Sequence, residues 1–450
     1  MKKTIARIFT VLFLILCLLP FLGLLIAGPA PAAANEIAAQ PPKLREKDGS
    51  FNTAVLQDFS AYVAGRFFPR QSLVTARARL YKLLGTSATQ SVVLGKDGWL
   101  YYADTLPDYE GTAPMSGTEL FDCTRTLELM QEYAESQGCG FLFTVCPNKN
   151  SLYPEHMPFA GTAGPHDAEL LAERLAAAGV NYADLFAALG EKDEELYFAT
   201  DTHWNMRGAA AGADAMLTAL GREEHWYAGE FIWDPVAPTR DLYAMLYPAG
   251  TRGEVYKNPT HAFAQTYLGN FQSTGDITVR SESPVGTGTL LCYRDSFGTS
   301  LIPYLAEDFA SATFSRKNAY DLSPLAAGDT DVLIIELVER NLTFLLNYSH
   351  LLPAPQREEG VLGDAERLTG NPVSAAPQKA FEGYALWELN LPAVHDAETG
   401  IYVRTVSGTL YEALPRPGKA VLSLPEGETP AFVLYQANGT AFSSPVTAEP

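Results

Sequence analysis

Two short segments of this chain hold the residue types of acyl transfer. The first reads Tyr-Phe-Ala-Thr-Asp-Thr-His-Trp-Asn and centres on Asp201, His203 and Trp204. The second is an apolar run from Leu290 that ends in Arg294-Asp295-Ser296-Phe297-Gly298. A serine hydroxyl is a weak nucleophile at neutral pH; it needs an imidazole to take its proton and a carboxylate to orient that imidazole. Ser296, His203 and Asp201 would supply nucleophile, general base and orienting acid. With Thr202 extended, Asp201 and His203 project to one side, because a strand alternates its faces with period two. The carboxylate then accepts the Nδ1–H and leaves Nε2 to face the hydroxyl. Alone, an Asp-x-His also describes a surface pair or part of a metal site, and an Asp-Ser-Phe turn also describes a helix N-cap. The combination points to chemistry.

The elements that must position these groups follow an α/β rhythm. Leu290, Leu291, Cys292 and Tyr293 read as a buried strand, Asp295 to Gly298 as a sharp turn, and a helix is expected to begin near Thr299. Open α/β sheets place ligands at the carboxyl ends of their strands, and the Ser296 N–H at a helix start is a natural oxyanion donor. Upstream, Leu120 to Ser136 reads as a helix, Gly140 to Val145 as a strand, Ala168 to Ala178 as a helix and Val180 to Ala183 as a strand. Met206 to Leu220 is an alanine-rich helix, and Val332 to Leu337 a fully buried strand. This alternation predicts a parallel sheet flanked by helices.

These residues carry a resemblance to the SGNH-hydrolase-like family of the alginate O-acetyltransferases (AlgJ and AlgX type), whose Firmicute relatives are called DHHW proteins. The matching motifs are the Asp-x-His-Trp box at Asp201 to Trp204 with Asn205 and Arg207, and the nucleophile box at Asp295 to Gly298. Val92 to Tyr101 is similar to the family's opening hairpin, Pro147-Asn148-Lys149 with Tyr153-Pro154-Glu155 to its first active-site loop, and Glu336 to Asn341 to its last strand and loop. The resemblance spans roughly residues 50 to 350. Arg294 stands where the family has glycine, which leaves open whether the nucleophile has the usual room beside it. The resemblance implies an extracytoplasmic O-acetyltransferase that moves an acetyl group through Ser296 to hydroxyls of a polysaccharide; no cofactor is expected, and no Cys-x-x-Cys or His-Glu-x-x-His pattern supports a metal site. It also implies a membrane partner of the MBOAT type that passes acetyl groups across the bilayer. Ordinary SGNH esterases stabilise the oxyanion with a glycine N–H and an asparagine side chain. The oxyanion or substrate candidates here are Asn148, Lys149, Arg294, Arg340 and Asn341, and Trp204 is expected to pack beneath the histidine. A carbohydrate acetylesterase, with water as acceptor, and a non-catalytic glycan-binding or assembly protein are the alternatives.

Composition bounds the rest. The chain has 450 residues, 47% of them apolar and 19% charged, as in ordinary globular proteins. With 32 basic and 52 acidic residues the net charge is −20, which argues against nucleic acid or an anionic membrane face as the main partner. Residues 1–34 begin with Lys2, Lys3 and Arg7 and run apolar from Ile8 to Ala27, long enough to cross a bilayer. Ala32-Ala33-Ala34 before Asn35 fits a signal-peptidase site, so either a retained anchor or a cleaved signal is expected. Both put the body outside the cytoplasm. Residues 35–50 read as a tether, 51–352 as the SGNH-like domain, and 353–380 as a linker. Within the domain, 223–285 is an irregular aromatic insertion whose rings either stack on a sugar or pack a minor cluster. Residues 381–450 alternate like a small β-sandwich, a glycan-binding module or a spacer. The five cysteines include Cys17 in the leader, with Cys146 and Cys292 at ends of expected strands as small apolar groups.

Overall fold

The computed structural model describes residues 2–30, 39–223, 225–363 and 366–448. The expected cleavage site at Ala32 to Asn35 lies outside them. A central sheet is built from β1 (Gly140–Cys146), β2 (Tyr182–Ala183), β3 (Thr266–Tyr267), β4 (Thr278–Glu282), β5 (Thr289–Tyr293), β6 (Ser311–Ser315) and β7 (Val332–Val338). Their order is β2-β1-β7-β5-β6-β4-β3. The first five run parallel, whereas β4 and β3 add antiparallel to one edge. The sheet is therefore mixed, and the two antiparallel strands come from the stretch that carries no clear period in sequence.

Period-two alternation divides the core between the two faces of the sheet. On one face Leu142, Leu290, Cys292 and Ile334 pack against Ala209, Ala213 and Met216 of the helix Met206–Ala219 and Leu301 and Leu305 of the helix Gly298–Asp308. On the other, Phe143, Val145, Leu333 and Ile335 meet Leu127 and Met130 of the helix Gly117–Ser136 and Leu171 and Leu175 of Asp167–Ala178. Each of these helices has a sequence reason to start where it does. Ser116 and Glu119 form a capping box before the first, and the Asn205 side chain accepts the Arg207 and Gly208 N–H groups before another.

The carboxyl-terminal module is a closed barrel rather than a sandwich. Seven strands, from Val373–Phe381 to Thr440–Ala448, form a ring that closes because Leu410–Arg416 pairs with both Ile401–Thr405 and Lys419–Pro425. Val373–Phe381, within the stretch read as a linker, is one of its staves. The barrel docks on the helix Gly117–Ser136, where Arg125 donates to both carboxylate oxygens of Glu412 at 2.7 and 2.8 Å. Asp122 and His395 pair at 2.7 Å in the same seam.

At the amino terminus lie the helix Lys2–Ala27 and two further helices, Val55–Arg66 and Arg70–Leu83. No helix, counted on its described residues, is long and apolar enough to cross a membrane; in Lys2–Ala27 the side chains of Leu16, Pro20 and Phe21 lie outside that description. That helix does expose Ile5, Phe9, Leu12, Ile15, Leu18 and Leu22.

Candidate active site

The carboxyl ends of β1, β5 and β7 meet at one edge of the sheet, and the serine box follows β5 there. Gly298 opens the helix after the turn because a Cβ at that position would stand 2.6 Å from the Arg294 Cβ and 2.8 Å from Glu336 Oε2. Asp295 fixes the turn from within. Its Oδ1 accepts the Phe297 N–H at 2.9 Å, and its Oδ2 accepts the Val338 N–H and the Asn341 Nδ2, both at 2.8 Å. The Asp295 N–H in turn donates to Glu336 Oε2 at 2.9 Å. One buried carboxylate thus ties the turn after β5 to the end of β7.

The histidine box is a bend, not an extended strand. Tyr197 and Trp204 form an isolated bridge, and the residues between them turn back on themselves. Asp201 Oδ1 accepts the backbone N–H of His203 at 3.1 Å as well as Nδ1 at 2.7 Å, so an aspartate-capped turn, rather than strand alternation, brings the two side chains together. Nε2 of His203 lies 2.9 Å from Ser296 Oγ. Asp201, His203 and Ser296 therefore stand in hydrogen-bonded series across segments far apart in the chain. Trp204 is fully buried, with its indole N–H donating to the Phe297 carbonyl at 3.2 Å. The helix behind it comes close enough for this only because residue 208 is glycine: a Cβ there would be 2.4 Å from the Leu196 carbonyl.

Three groups hold the bend, and sequence reasoning missed two of them. Asp241 accepts the Thr202 N–H at 2.9 Å and its hydroxyl at 2.6 Å, and lies 3.7 Å from His203 Nδ1. Glu254 accepts the N–H groups of Ala199 and Thr200 at 2.6 and 2.9 Å. Both acids sit in the irregular stretch, where a single carboxylate carries no pattern. Lys149, expected as an oxyanion donor, is instead the third support: its ammonium donates to the carbonyls of Phe198, Ala199 and Asp201 at 3.0, 3.0 and 2.6 Å.

Two other candidates are also spent on the protein. Asn341 donates to Asp295, as above. Arg294 turns away from the nucleophile to the carbonyls of Thr274 and Asp276 at 2.7 and 2.8 Å, so the arginine in the glycine's place does not fill the space beside Ser296. Asn148 and Arg340 remain. The Asn148 Nδ2 is buried without an acceptor, its Oδ1 receives Arg340 Nη1 at 3.4 Å, and Arg340 lies over the ring of Phe297 at 5.4 Å.

The electrostatics follow from burial. Burial would raise the Asp201 carboxyl, but hydrogen bonding to His203 and its charge outweigh this and hold it well below the usual carboxylate range. Burial, and then the charge of Asp201, push Asp241 upward. Burial draws the Lys149 ammonium down to about 7 and pushes Glu336 up to about 8, helped by Asp295. Asp201, His203 and Asp241 offer three potential metal-ligand atoms within 4.8 Å of one another, and each is already engaged in the hydrogen bonds just described.

A sharp strand-to-helix turn thus presents a serine to a histidine and an aspartate at the carboxyl edge of an α/β sheet, the residue types of acyl transfer. Comparison with known proteins agrees: residues 92–235 match the family described as SGNH hydrolase-like domain, acetyltransferase AlgX. The chain is 34% identical over 139 residues to the probable alginate O-acetylase AlgJ of Pseudomonas aeruginosa, a match covering 30% of this chain and 34% of that protein. With the corresponding protein of Pseudomonas syringae pv. tomato it is 31% identical over 137 residues, 29% of this chain and 34% of that one. The match thus spans about a third of the length of these relatives. Among solved structures, Bacillus cereus PatB1 with a sulfonyl adduct is similar at TM-score 0.44 and 15% identity, over 56% of this chain and 95% of that one. The O-acetyltransferase domain of Pseudomonas putida AlgJ gives TM-score 0.37 and 18% identity, over 56% and 92%. Asp241, Glu254 and Ser296 lie beyond the segment matched by the family.

Proposed function

We propose that the chain is an extracytoplasmic O-acetyltransferase that carries an acetyl group on Ser296 and delivers it to hydroxyls of a surface or secreted polysaccharide. The observation that carries this reading is the series Asp201, His203, Ser296, closed by bonds of 2.7 and 2.9 Å. In the first half-reaction Ser296 Oγ attacks the acetyl carbonyl carbon while His203 Nε2 takes the hydroxyl proton, and Asp201 holds the resulting imidazolium. The oxyanion is met by the Ser296 N–H and, on the side of β1, by the unpartnered Asn148 amide, with Arg340 supplying positive charge nearby. The proton then passes to the departing group and leaves an acetyl-serine. In the second half-reaction His203 deprotonates a sugar hydroxyl, whose oxygen attacks the acetyl-serine; collapse returns the proton to Ser296.

One surface beside the bend supports the acceptor reading. Of the rings in the aromatic insertion, Trp226 and Tyr247 are core, and Tyr227, Phe231, Tyr243 and Tyr267 are half-buried against it. Trp233, by contrast, is 63% exposed and borders a hollow of about 290 Å³ with Phe198, Tyr256, Glu254 and Lys257, next to the bend that holds Asp201. An exposed indole with flanking polar groups suits the apolar face and hydroxyl rim of a sugar. The two Pseudomonas AlgJ proteins named above are, by their printed names, probable alginate O-acetylases, which favours a polysaccharide over a small alcohol. We take Lys2–Ala27 as a membrane anchor or leader and an MBOAT-type membrane protein as the acetyl source.

Two measurements test this. The chain and its Ser296→Ala variant are given a chromogenic acetyl ester; equal rates would leave only a binding role. An acetyl donor is then supplied with oligosaccharides, and mass gain on the sugar distinguishes transfer from hydrolysis.

A further inference from the structure

The chain is strongly acidic, yet from Phe59 to Lys96 it contains no acidic residue and six basic ones: Arg66, Arg70, Arg77, Arg79, Lys82 and Lys96. Most of these sit on or beside the helix Arg70–Leu83. That helix turns one side into the protein, where Thr75 accepts the Ala249 N–H at 2.9 Å and Ala78 packs with Val92, Leu100, Leu242 and Leu246. At helical spacing on another side it exposes Leu73, Leu80 and Leu83, at 46%, 56% and 84%, followed by Leu84 at 70%. Arg77, Arg79 and Lys82 are exposed alongside them. The neighbouring helix adds Leu56 and Phe59, and the corner between the two adds Phe68, all exposed.

The place of this surface names its occupant. The corner stands at the outward end of the apolar helix Lys2–Ala27: the Ala30 N–H donates to the Arg66 carbonyl at 2.8 Å, and a Cβ on Gly23 would be 2.7 Å from the Phe68 carbonyl. A helix with a leucine stripe, basic flanks and no acid, set beside the end of the apolar helix Lys2–Ala27, has the composition of an interfacial helix. We propose that Arg70–Leu83 lies flat on a bilayer surface rich in anionic phospholipid, with Leu73, Leu80 and Leu83 at the headgroup boundary and Arg77, Arg79 and Lys82 among the phosphates. The inference rests on the anchor reading proposed above. Its consequence for the site is direct: the inner side of this helix packs on Leu242 and Leu246 of the helix Asp241–Leu246, whose first residue holds Thr202. The bilayer surface would thus fix the height and tilt of the catalytic bend above the membrane, where an acetyl group crossing the bilayer emerges.

The test uses the full chain with Cys17→Ser and Leu80→Cys, the latter carrying an environment-sensitive fluorophore; the cysteines left besides the label are buried. It is mixed with vesicles of phosphatidylcholine alone, or of phosphatidylcholine and phosphatidylglycerol in equal parts. In the anionic vesicles the label is expected to be quenched by doxyl-lipid and shielded from aqueous iodide, at least severalfold more than in the neutral ones. Each basic residue at an anionic surface strengthens attachment roughly fivefold, so the triple variant Arg77→Gln, Arg79→Gln, Lys82→Gln should lose that difference while keeping its ester-hydrolysis rate. A chain that floats with the vesicles but leaves the label open to iodide in both lipids overturns this inference and spares the anchor. A chain that does not float with either overturns both. Shielding that needs high protein concentration and is indifferent to lipid quencher also overturns it, because a second copy then covers the helix.

Discussion

Asp241 stands 3.7 Å from Nδ1 of His203, beside the 2.7 Å bond that joins the same nitrogen to Asp201. The histidine therefore faces two carboxylates that differ in character: Asp201 is held low by its bond to the imidazole, and Asp241 is pushed up by burial and by Asp201. Asp241 acts chiefly through Thr202, whose N–H and hydroxyl it accepts. It is a positioning residue with an electrostatic side effect.

Replacing Asp241 with Asn keeps an acceptor for the Thr202 N–H but removes the charge. We expect kcat near neutral pH to fall on the order of tenfold, as for loss of one charge-assisted contact of about 1.4 kcal/mol, with KM little changed. The sign of the pH effect follows from the raised carboxyl. As pH falls, Asp241 takes its proton before Asp201 does, and protonated Asp241 then resembles the neutral Asn. The ratio of wild-type to Asp241→Asn rates should shrink toward one on the acid side. A ratio constant with pH would show that the charge of Asp241 does not reach the histidine.

Asp295 tests the turn that carries the nucleophile. Asp295→Ala leaves the buried N–H groups of Phe297 and Val338 without their acceptor, at about 1–3 kcal/mol for each. Thermal unfolding should show a loss on the order of 3 kcal/mol, and kcat should drop a hundredfold or more because the serine turn loses its tie to β7. Asn341→Ala removes only one donor from the same carboxylate and should cost about 1 kcal/mol with kcat within tenfold. Similar effects of the two substitutions would contradict the claim that Asp295, rather than the loop after β7, sets the turn.

What the sequence made legible, and what it hid, divides along the range of the interactions. Leu290 to Tyr293 and Val332 to Leu337 announce strands because a strand buried on both faces must be apolar at every position. Asp201, His203 and Ser296 are legible because their chemistry has a local spelling. The supports of the bend are not: Asp241 and Glu254 act on backbone N–H groups far away in the chain, and an acid that accepts from backbone can sit in any loop. Lys149 was legible as a candidate, but its bonds to three carbonyls were not, since a lysine after a core strand reads the same whether it faces substrate or backbone. The barrel was taken for a sandwich because closure depends on Leu410–Arg416 pairing on both sides, and strand alternation says nothing of partners. Val373–Phe381 was hidden by its Ala, Gln and Pro content, which lacks the β-branched residues that mark a strand.

Glu336 makes a pH-dependent contribution that can be read in stability. Burial, then the charge of Asp295, raise its carboxyl to about 8, from an ordinary value of 4.5. Between those values the folded state keeps a proton that the unfolded chain releases, so the group's contribution declines as pH rises through this window. Glu336→Gln stays neutral throughout and can still accept the Asp295 N–H. Relative to wild type it should gain stability steadily from pH 5 to pH 8, by on the order of 2 kcal/mol in all, measured as the difference in denaturant midpoint. A difference that stays flat across that range would mean that Glu336 is ionised in the fold, countered by the nearby Arg294.

Lys149 separates support from contact with substrate. Its Nζ lies over the rings of Trp99 and Tyr101, 5.4 and 5.1 Å from their centroids, and donates to three carbonyls of the bend. Lys149→Met preserves the stem and deletes the donors. The carbonyls of Phe198, Ala199 and Asp201 then lose their shared donor in a dry setting, which should cost about 2–4 kcal/mol of stability. Because the bend carries Asp201, kcat should fall at least tenfold; because Nζ reaches no substrate, KM should move by less than threefold. If KM rose sharply while the melting temperature held, Lys149 would have to swing into the site during turnover, and the oxyanion role that its position after β1 first suggested would return.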